Sequence, residues 1–384
     1  VCHWYPSFSI SNKWHSPSIN LKEIIREVLP YVQNKASPGT PLSQFGSSNG
    51  EVMETLGLEA IVDMVYLRLI KFKLYTPEAV REIGPVECVK QGLMDPVRVF
   101  VKNEPHSLKK RSTGRVRLIH SVSLLDKIIE LLLVRSEQKV QISNWKTIPS
   151  KPGISFEEDG RKAIYDKVIS WKPFGYSSDM SHWDMSVTDW LMQDDMEITL
   201  LKCLNPTSLW EDFVRVKEAL EEQAVYQFSD GELVIPHFRG ITNSGKQKTS
   251  SSNSRMRVLL AKHCGSEDVI AAGDDSCEKS VFPPEIIISN YEAYGFTVKQ
   301  LTHVVSEFEF CSHVYKRDLL YSVNEEKILM NLCHKRDSLS LCGWLTTMAE
   351  LNHELGTHPL YPGILEDLRK IGFLEPVGAQ RYGQ

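Results

Sequence analysis

The stretch Ala271-Ala272-Gly273-Asp274-Asp275-Ser276 constrains this chain more than any other. Two adjacent carboxylates follow a glycine, between the apolar run Asp268-Val269-Ile270-Ala271-Ala272 and the mixed run Cys277-Glu278-Lys279-Ser280-Val281. The pattern reads as a β-hairpin whose tight turn carries both acids, because Gly and Asp supply the backbone angles a two-residue turn requires. Neighbouring carboxylates repel and raise each other's pKa unless a cation neutralises them, so a rigid turn presenting two suits a divalent metal. Taken alone the tripeptide is equally a plain polar turn, and the rest of the chain has to decide between the two.

With 384 residues, 42% hydrophobic and 24% charged, the chain has the make-up of a soluble globular protein of two or three subdomains, and disorder is not expected. A formal net charge of −5 argues against polyanion binding over the whole surface and leaves room for a basic groove. The eight cysteines form no CxxC pair, and His263, Cys264 and Cys277 lack zinc-finger spacing. They read as reduced, mostly buried thiols in a cytosolic setting. No apolar run approaches a membrane span, and Val1-Cys2-His3-Trp4 has neither an initiator Met nor a signal-peptide pattern. The chain reads as a piece cut from a longer product.

A helix-like run covers Asn20 to Val32, followed by Ala36-Ser37-Pro38-Gly39-Thr40-Pro41, a turn or extended loop for which a plain linker is the simple account. Helical periodicity resumes from Glu51 to Leu74, and Thr76-Pro77-Glu78 starts a further helix. Val97 to Lys102 alternates as a strand, then Lys109, Lys110, Arg111, Arg115 and Arg117 gather around Ser112-Thr113-Gly114 before the strand-like Arg117 to His120. This is a β-ribbon whose strands and tip carry cations, opposed only by Glu104. A solvated face gives the same pattern, but in an otherwise acidic chain such a concentration suits phosphate binding. Ser121 to Val140 reads as a long amphipathic core helix. The loop Ile148 to Gly153 carries one lysine, Lys151, and no chemistry follows from it.

A strand then runs to Asp179, a short turn to Asp184, and a helix from near Thr188 to Cys203. An acid at a strand end beside a helix start is where an α/β site places a metal ligand. After a helical and hairpin-like insertion, Ser208 to Phe238, the Gly/Ser loop Gly240 to Arg255 enters a helix ending at His263. Its hydroxyls, amide and N–H groups suit sugar or phosphate. A helix from Pro283 to Tyr294 and a strand after Gly295-Phe296 follow. Glu307 to Tyr315 and Leu319 to Val323 read as a hairpin around Lys316-Arg317-Asp318, and Glu325 to Gln384 as a small, mostly helical subdomain.

The ordered set of basic ribbon, Asp179-x4-Asp184, Ser244-Gly245-x3-Thr249-x3-Asn253, Gly273-Asp274-Asp275, lysine-bearing segment and Phe310-Cys311-Ser312 resembles the motifs of viral RNA-dependent RNA polymerases over residues 97 to 315. Ser37-Pro38-Gly39-Thr40-Pro41 resembles that family's template-entry motif. The wording of Val101 to His106, Pro149 to Gly153, Thr249 to Arg255 and Glu309 to His313 is most similar to the sobemovirus, polerovirus and enamovirus polymerases of plants.

The resemblance implies an α+β (α/β) right-hand fold: fingers at 1–172, palm at 173–204, a fingers insertion at 205–239, palm again at 240–320 and a small helical thumb at 321–384. It implies two Mg²⁺ ions, for which Mn²⁺ can substitute, on Asp179 and Asp274 with Asp275 auxiliary; phosphoryl transfer calls for such carboxylates on different elements. It assigns Asp184 and Asn253, with Ser244 and Thr249, to the ribose, Lys102 and Arg117 to the triphosphate, and Lys299, with His303 as rival, to the pyrophosphate proton. Ser37, Gly39, Lys109, Lys110, Arg111, Gly245, Cys311 and Ser312 are implied to contact RNA. The implied partners are template and nascent RNA, NTPs, a virus-encoded protein primer and other viral replication proteins. The implied place is a replication complex in the host cytoplasm after release from a polyprotein. A reverse transcriptase and a non-catalytic RNA-binding replication subunit stand as alternatives.

Overall fold

Local sequence signals set most element boundaries in the computed structural model, which describes residues 1–104, 108–114, 116–335 and 361–370. The helix α1 (Leu21–Val28) is capped by the Asn20 side chain, which accepts from the Glu23 N–H. The helical run expected from Glu51 to Leu74 is two helices, α2 (Asn49–Leu56) and α3 (Leu58–Phe72), divided by Gly57 at φ 81°. Thr76 Oγ1 caps α4 (Pro77–Lys90), which kinks at Gly84.

The ribbon is half as expected. Strands β1 (Val97–Val101) and β2 (Leu118–Ser121) pair antiparallel, but the segment between them contains a short helix, α5 (Leu108–Ser112), instead of a hairpin tip. Arg115 and the side chains of Lys109 and Lys110 lie outside the described residues. Next come α6 (Leu124–Ser143), α7 (Glu158–Ile169), β3 (Gly175–Ser181), α8 (Trp183–Ser186), α9 (Asp189–Lys202) and α10 (Ser208–Glu221). Two-residue strands β4 (Tyr226–Gln227) and β5 (Leu233–Val234) precede α11 (Thr249–His263), β6 (Asp268–Ala272), β7 (Asp275–Lys279), α12 (Pro284–Ala293) and β8 (Thr297–His303). The strand expected over Glu307 to Tyr315 is broken at Cys311-Ser312 into β9 (Phe308–Phe310) and β10 (His313–Tyr315), which continue to β11 (Leu320–Ser322). Two described helices, α13 (Glu325–Lys335) and α14 (Tyr361–Lys370), fall in the expected C-terminal subdomain; the rest of it lies outside the described residues.

The chain forms two units. The first comprises Val1–Lys102, Arg117–Ile154 and Ser178–Leu301, the second Asn103–Val116, Ser155–Ser177 and Thr302–Gln384. In the first, one apolar cluster draws on α1 to α4, α6, α9 and α10, with Trp14, Phe72, Trp210 and Phe213 packed edge-on within it. The sheet β2-β1-β4-β5 lies in this unit, and the sheet β6-β7-β3-β8 gathers the acid-bearing strands. The helix α6 is buried around most of its circumference instead of on one apolar side, because its acids have partners. Asp126 meets Arg68 at 2.9 Å, and Glu130 accepts the N–H groups of Gln247 (2.6 Å) and Lys248 (3.0 Å). In the second unit, Tyr165, Phe308 and Tyr315 stack across α7, β9 and β10.

The Ser37 to Pro41 loop is held at several points, as a plain linker would not be. Leu124 N–H donates to the Pro38 carbonyl (2.8 Å), Lys127 Nζ to the Ser37 carbonyl (2.7 Å) and Thr40 Oγ1 to Gln227 (2.7 Å). Gly39 has φ 67°, and a Cβ there would sit 2.8 Å from Ser123 Cα and from the Val122 carbonyl oxygen. Gly39→Ala is therefore expected to lower stability by about 2 kcal/mol in urea unfolding, strain and clash together. Gly231→Ala, at φ 90° with nothing within 4 Å of the added carbon, should lose only the backbone part, about 1 kcal/mol.

Candidate active site

Strands β6 and β7 pair in register from Asp268↔Lys279 to Ala272↔Asp275. The turn is thus Gly273-Asp274 alone, and Asp275 is the first residue of β7. The expectation that the turn carries both acids is corrected: the ladder reaches Asp275, so only Asp274 stands at the tip. Gly273 takes φ 67° and Asp274 a negative φ, the arrangement that two-residue hairpins of the II′ kind require.

The neighbour of β7 in the sheet is β3, which carries Asp179. Successive strand side chains alternate between faces, so Ser178 points into the core where Asp179 does not. Ser178 Oγ lies 2.8 Å from Ser276 Oγ, stitching β3 to β7 beneath the acids. On the other side of β3, Lys299 of β8 donates its ammonium to Asp179 Oδ2. Lys299 is held above its usual pKa first by that hydrogen bond and also by the charges of Asp179, Asp275 and Asp274.

Asp184 follows in α8, where its carbonyl accepts the Thr242 N–H at 2.9 Å. Its pKa is pushed up to about 6, by burial first and then by the charge of Asp274, against the lowering effect of Arg117. Asp274 is raised as well, by loss of water and by Asp179, with Lys299 and Arg257 opposing. Asp179, Asp184, Asp274, Asp275, Lys299 and Arg117, separated in sequence, thus act within one electrostatic field. A divalent cation fits the pair Asp179 and Asp274 by donor chemistry, hard oxygen ligands whose repulsion a cation relieves. No ready-made cage of three or more His, Cys, Asp or Glu side chains exists among the described residues, and Lys299 supplies positive charge at Asp179.

The Gly/Ser loop is shaped by close approach. Ile241, buried and β-branched, has φ 68°, and its N–H donates to the Val187 carbonyl (2.9 Å). Backbone strain of this kind collects at functional sites. Ser244 Oγ accepts the His120 N–H (3.2 Å), and a Cβ on Gly245 would lie 2.0 Å from the His120 carbonyl oxygen. Gly245 therefore serves close packing against β2. Thr249 Oγ1 donates to the Lys246 carbonyl (2.8 Å), closing the loop onto α11. Asn253, one turn further along α11, is buried, and its Oδ1 has no hydrogen-bond partner among the described residues. A buried acceptor without a donor is unfavourable by itself and suits a hydroxyl-bearing ligand.

At the base of the ribbon, Lys102 N–H donates to the Arg117 carbonyl (2.8 Å), and the Arg117 side chain is exposed. Arg111 belongs to the second unit, as do Cys311 and Ser312, which take φ 53° and 57° in the turn joining β9 to β10. His303 also lies in the second unit, with Nε2 2.6 Å from the Pro173 carbonyl oxygen. Sequence reasoning passed over Tyr226, whose hydroxyl donates to Asn243 Oδ1 at 3.0 Å, and Arg257, buried behind the turn. The available signal was Arg255-Met256-Arg257, two cations in a helix where the Ser-rich run gives way to the apolar Val258-Leu259-Leu260-Ala261.

Among the described residues, Cys2, Cys88, Cys203, Cys264, Cys277 and Cys311 are thiols outside any disulfide. No described helix is long and apolar enough to cross a membrane.

Residues 18–169 and 221–324 match the family model described as viral RNA-directed RNA-polymerase. The chain belongs to this family. Its curated relatives include Protein P1-P2 of Potato leafroll virus, 33% identical over 327 residues, covering 81% of this chain and 30% of the relative. The Replicase polyprotein P2AB of Southern bean mosaic virus is 34% identical over 349 residues, covering 87% and 34%. Protein P2-P3 of Poinsettia latent virus is 32% identical over 384 residues, covering 94% and 33%. These relatives match the sobemovirus, polerovirus and enamovirus likeness drawn from the motifs. The chain spans about a third of the length of the curated relatives it matches. Among solved structures, an insertion-loop deletion mutant of the RNA-dependent RNA polymerase of a human picorbirnavirus superposes with TM-score 0.53 at 11% identity, covering 66% of this chain and 53% of that one. At that identity the likeness establishes the α+β polymerase fold.

The electrostatics of the candidate site are open to direct measurement. In metal-free protein the Asp184 carboxyl should titrate near pH 6 by carbon-detected NMR, protonated below and ionised above. Arg117→Gln removes the charge that favours the ionised form and should raise that value, whereas Asp274→Asn removes repulsion and should lower it.

Proposed function

We propose that this chain performs template-directed RNA synthesis in the replication of a viral RNA genome, joining NTPs to an RNA 3′-hydroxyl and releasing pyrophosphate. Asp179 on β3 and Asp274 at the tip of the neighbouring β6–β7 hairpin, together with the unpartnered amide oxygen of Asn253, carry this reading. When bound at Asp179 and Asp274, with Asp275 in support, two Mg²⁺ or Mn²⁺ ions would supply hydroxyl activation and neutralise charge on the triphosphate. The chain's own residues do the rest. Arg117 and Lys102 hold the triphosphate. Asp184 and Asn253 read the 2′-hydroxyl, which is both donor and acceptor; a deoxynucleotide would leave buried polar groups unpaired. Ser244 and Thr249 fix the loop that shapes this pocket. Lys299, kept protonated by its carboxylate neighbours, can give its proton to the departing pyrophosphate.

In this reading Ser37 and Gly39 border the entering template, Lys109, Lys110 and Arg111 hold phosphates, and Cys311 and Ser312 support the primer strand. Fingers occupy 1–172 and 205–239, the palm 173–204 and 240–320, and the thumb 321–384. The enzyme would work within a replication complex in the host cytoplasm, after release from a longer product. A virus-encoded protein primer and other viral replication proteins would be its partners.

The test is incorporation on a primed RNA template with Mg²⁺ or Mn²⁺. Asp179→Asn and Asp274→Asn should each lower incorporation by about 10³-fold or more, with Asp275→Asn milder. Asn253→Ala should narrow the preference for NTP over dNTP by roughly 10-fold or more. Preference of the unmodified chain for dNTPs would sink the reading in favour of a reverse transcriptase. No incorporation with either metal would favour a non-catalytic RNA-binding subunit.

A further inference from the structure

The hydrogen-bond ladder of β6 and β7 ends at Ala272 and Asp275, so nothing in the hairpin itself holds the outer peptide groups of the turn. The helix α11 holds them. Ser254 Oγ accepts the Gly273 N–H at 2.9 Å, and Arg257 Nε donates to the Asp274 carbonyl at 3.3 Å. The same guanidinium reaches β3, where Nη2 donates to Ser178 Oγ at 2.6 Å, one residue before Asp179. Its remaining arm, Nη1, donates to the Tyr291 hydroxyl at 2.8 Å on α12. Arg257 is 0% exposed. Its counter-charge is Glu278 of β7, 3.8 Å from Nη2, which also accepts from Tyr291 (2.9 Å) and Ser178 (3.2 Å), and from Ser266.

We propose that Arg257 is a positioning residue: its planar fork sets the separation and orientation of the Asp179 and Asp274 carboxylates, and so the metal affinity of the pair. The inference rests on the polymerase reading of the site. One rigid group touches the backbone of one acid and the side chain next to the other, so neither strand can shift without breaking a charged hydrogen bond. A buried ion pair serving stability alone would need only Glu278. Here all three hydrogen bonds run elsewhere, to the Asp274 carbonyl, to Ser178 of β3 and to Tyr291 of α12, and metal sites demand placement within about 0.5 Å. A lysine would keep the charge opposite Glu278 but could not span Ser178 and the Asp274 carbonyl together.

The experiment compares unmodified protein, Arg257→Lys, Ser178→Ala and Asp274→Asn in three measurements: thermal melting, Mn²⁺ binding by electron paramagnetic resonance without nucleotide, and steady-state incorporation. Arg257→Lys should weaken Mn²⁺ binding by about 10-fold and lower kcat by about 100-fold, with the NTP KM within about threefold, since triphosphate and ribose contacts remain. Ser178→Ala leaves every charge in place, so it carries the test if Arg257→Lys does not fold; it should shift Mn²⁺ affinity and kcat in the same direction by a smaller factor. Folded variants that melt earlier yet bind Mn²⁺ and turn over like the unmodified protein would reduce Arg257 to a core ion pair and overturn the proposal. Failure of the unmodified protein itself to bind Mn²⁺ or incorporate nucleotides would instead remove the polymerase reading, and this inference with it.

Discussion

Two guanidinium groups on one buried helix organise the first unit. Arg255 and Arg257 of α11 are 2% and 0% exposed, and a cation so placed is tolerable only where acids and hydroxyls come to meet it. Arg255 draws Asp195 from α9 (2.5 Å) and Glu137 from α6, adds the Thr199 hydroxyl (2.7 Å), and lies over the Tyr5 ring at 5.6 Å. Arg257 draws Glu278 from β7, Ser178 from β3 and Tyr291 from α12. Removing one partner of such a buried pair costs about 3–5 kcal/mol, so these contacts leave α11 one position and one rotation.

That position brings the chemistry together. The first turns of α11 continue the strained loop after Gly240 and carry Asn253, whose amide oxygen awaits a donor. The next turn reaches the Gly273-Asp274 turn through Ser254 and Arg257. Asp184 is tied to the same loop through the Thr242 N–H. Asn253 and the acid-bearing turn therefore share one rigid support, and the pKa values of Asp184 and Asp274 are raised there by burial first and by neighbouring acids after it. Ordinary folds avoid this repulsion; on the proposed reading, cations and a triphosphate would relieve it.

Much of this was legible before the structure. The helix start at Thr76-Pro77, the turn at Gly273 and the Pro/Gly loop at Ser37 act over a few residues, so their signals are local. Asp179 and Asp274 could be paired because the motifs occur in a characteristic order. Errors came where local rules compete with pairing. Asp275 looked like a turn residue until the register with Ala272 placed it in β7. The strand over Glu307 to Tyr315 contains no glycine or proline to announce a break, yet Cys311 and Ser312 both adopt positive φ, which β10 pairing enforces at a cost local preference would not accept.

By itself, then, the sequence determined many of the helix starts and turns, which carboxylates to propose for the chemistry and which family the motifs resemble, because each is a matter of short spacing or of order along the chain. Only the tertiary structure decided that one acid of the pair stands at the tip while the other lies in a strand, that Lys299 pairs with Asp179, and that Arg257 ties both acids to α11. The first follows from the pairing register of β6 with β7; the Lys299–Asp179 and Arg257–Ser178 contacts join residues 120 and 79 positions apart, which burial and charge compensation select and local pattern does not encode.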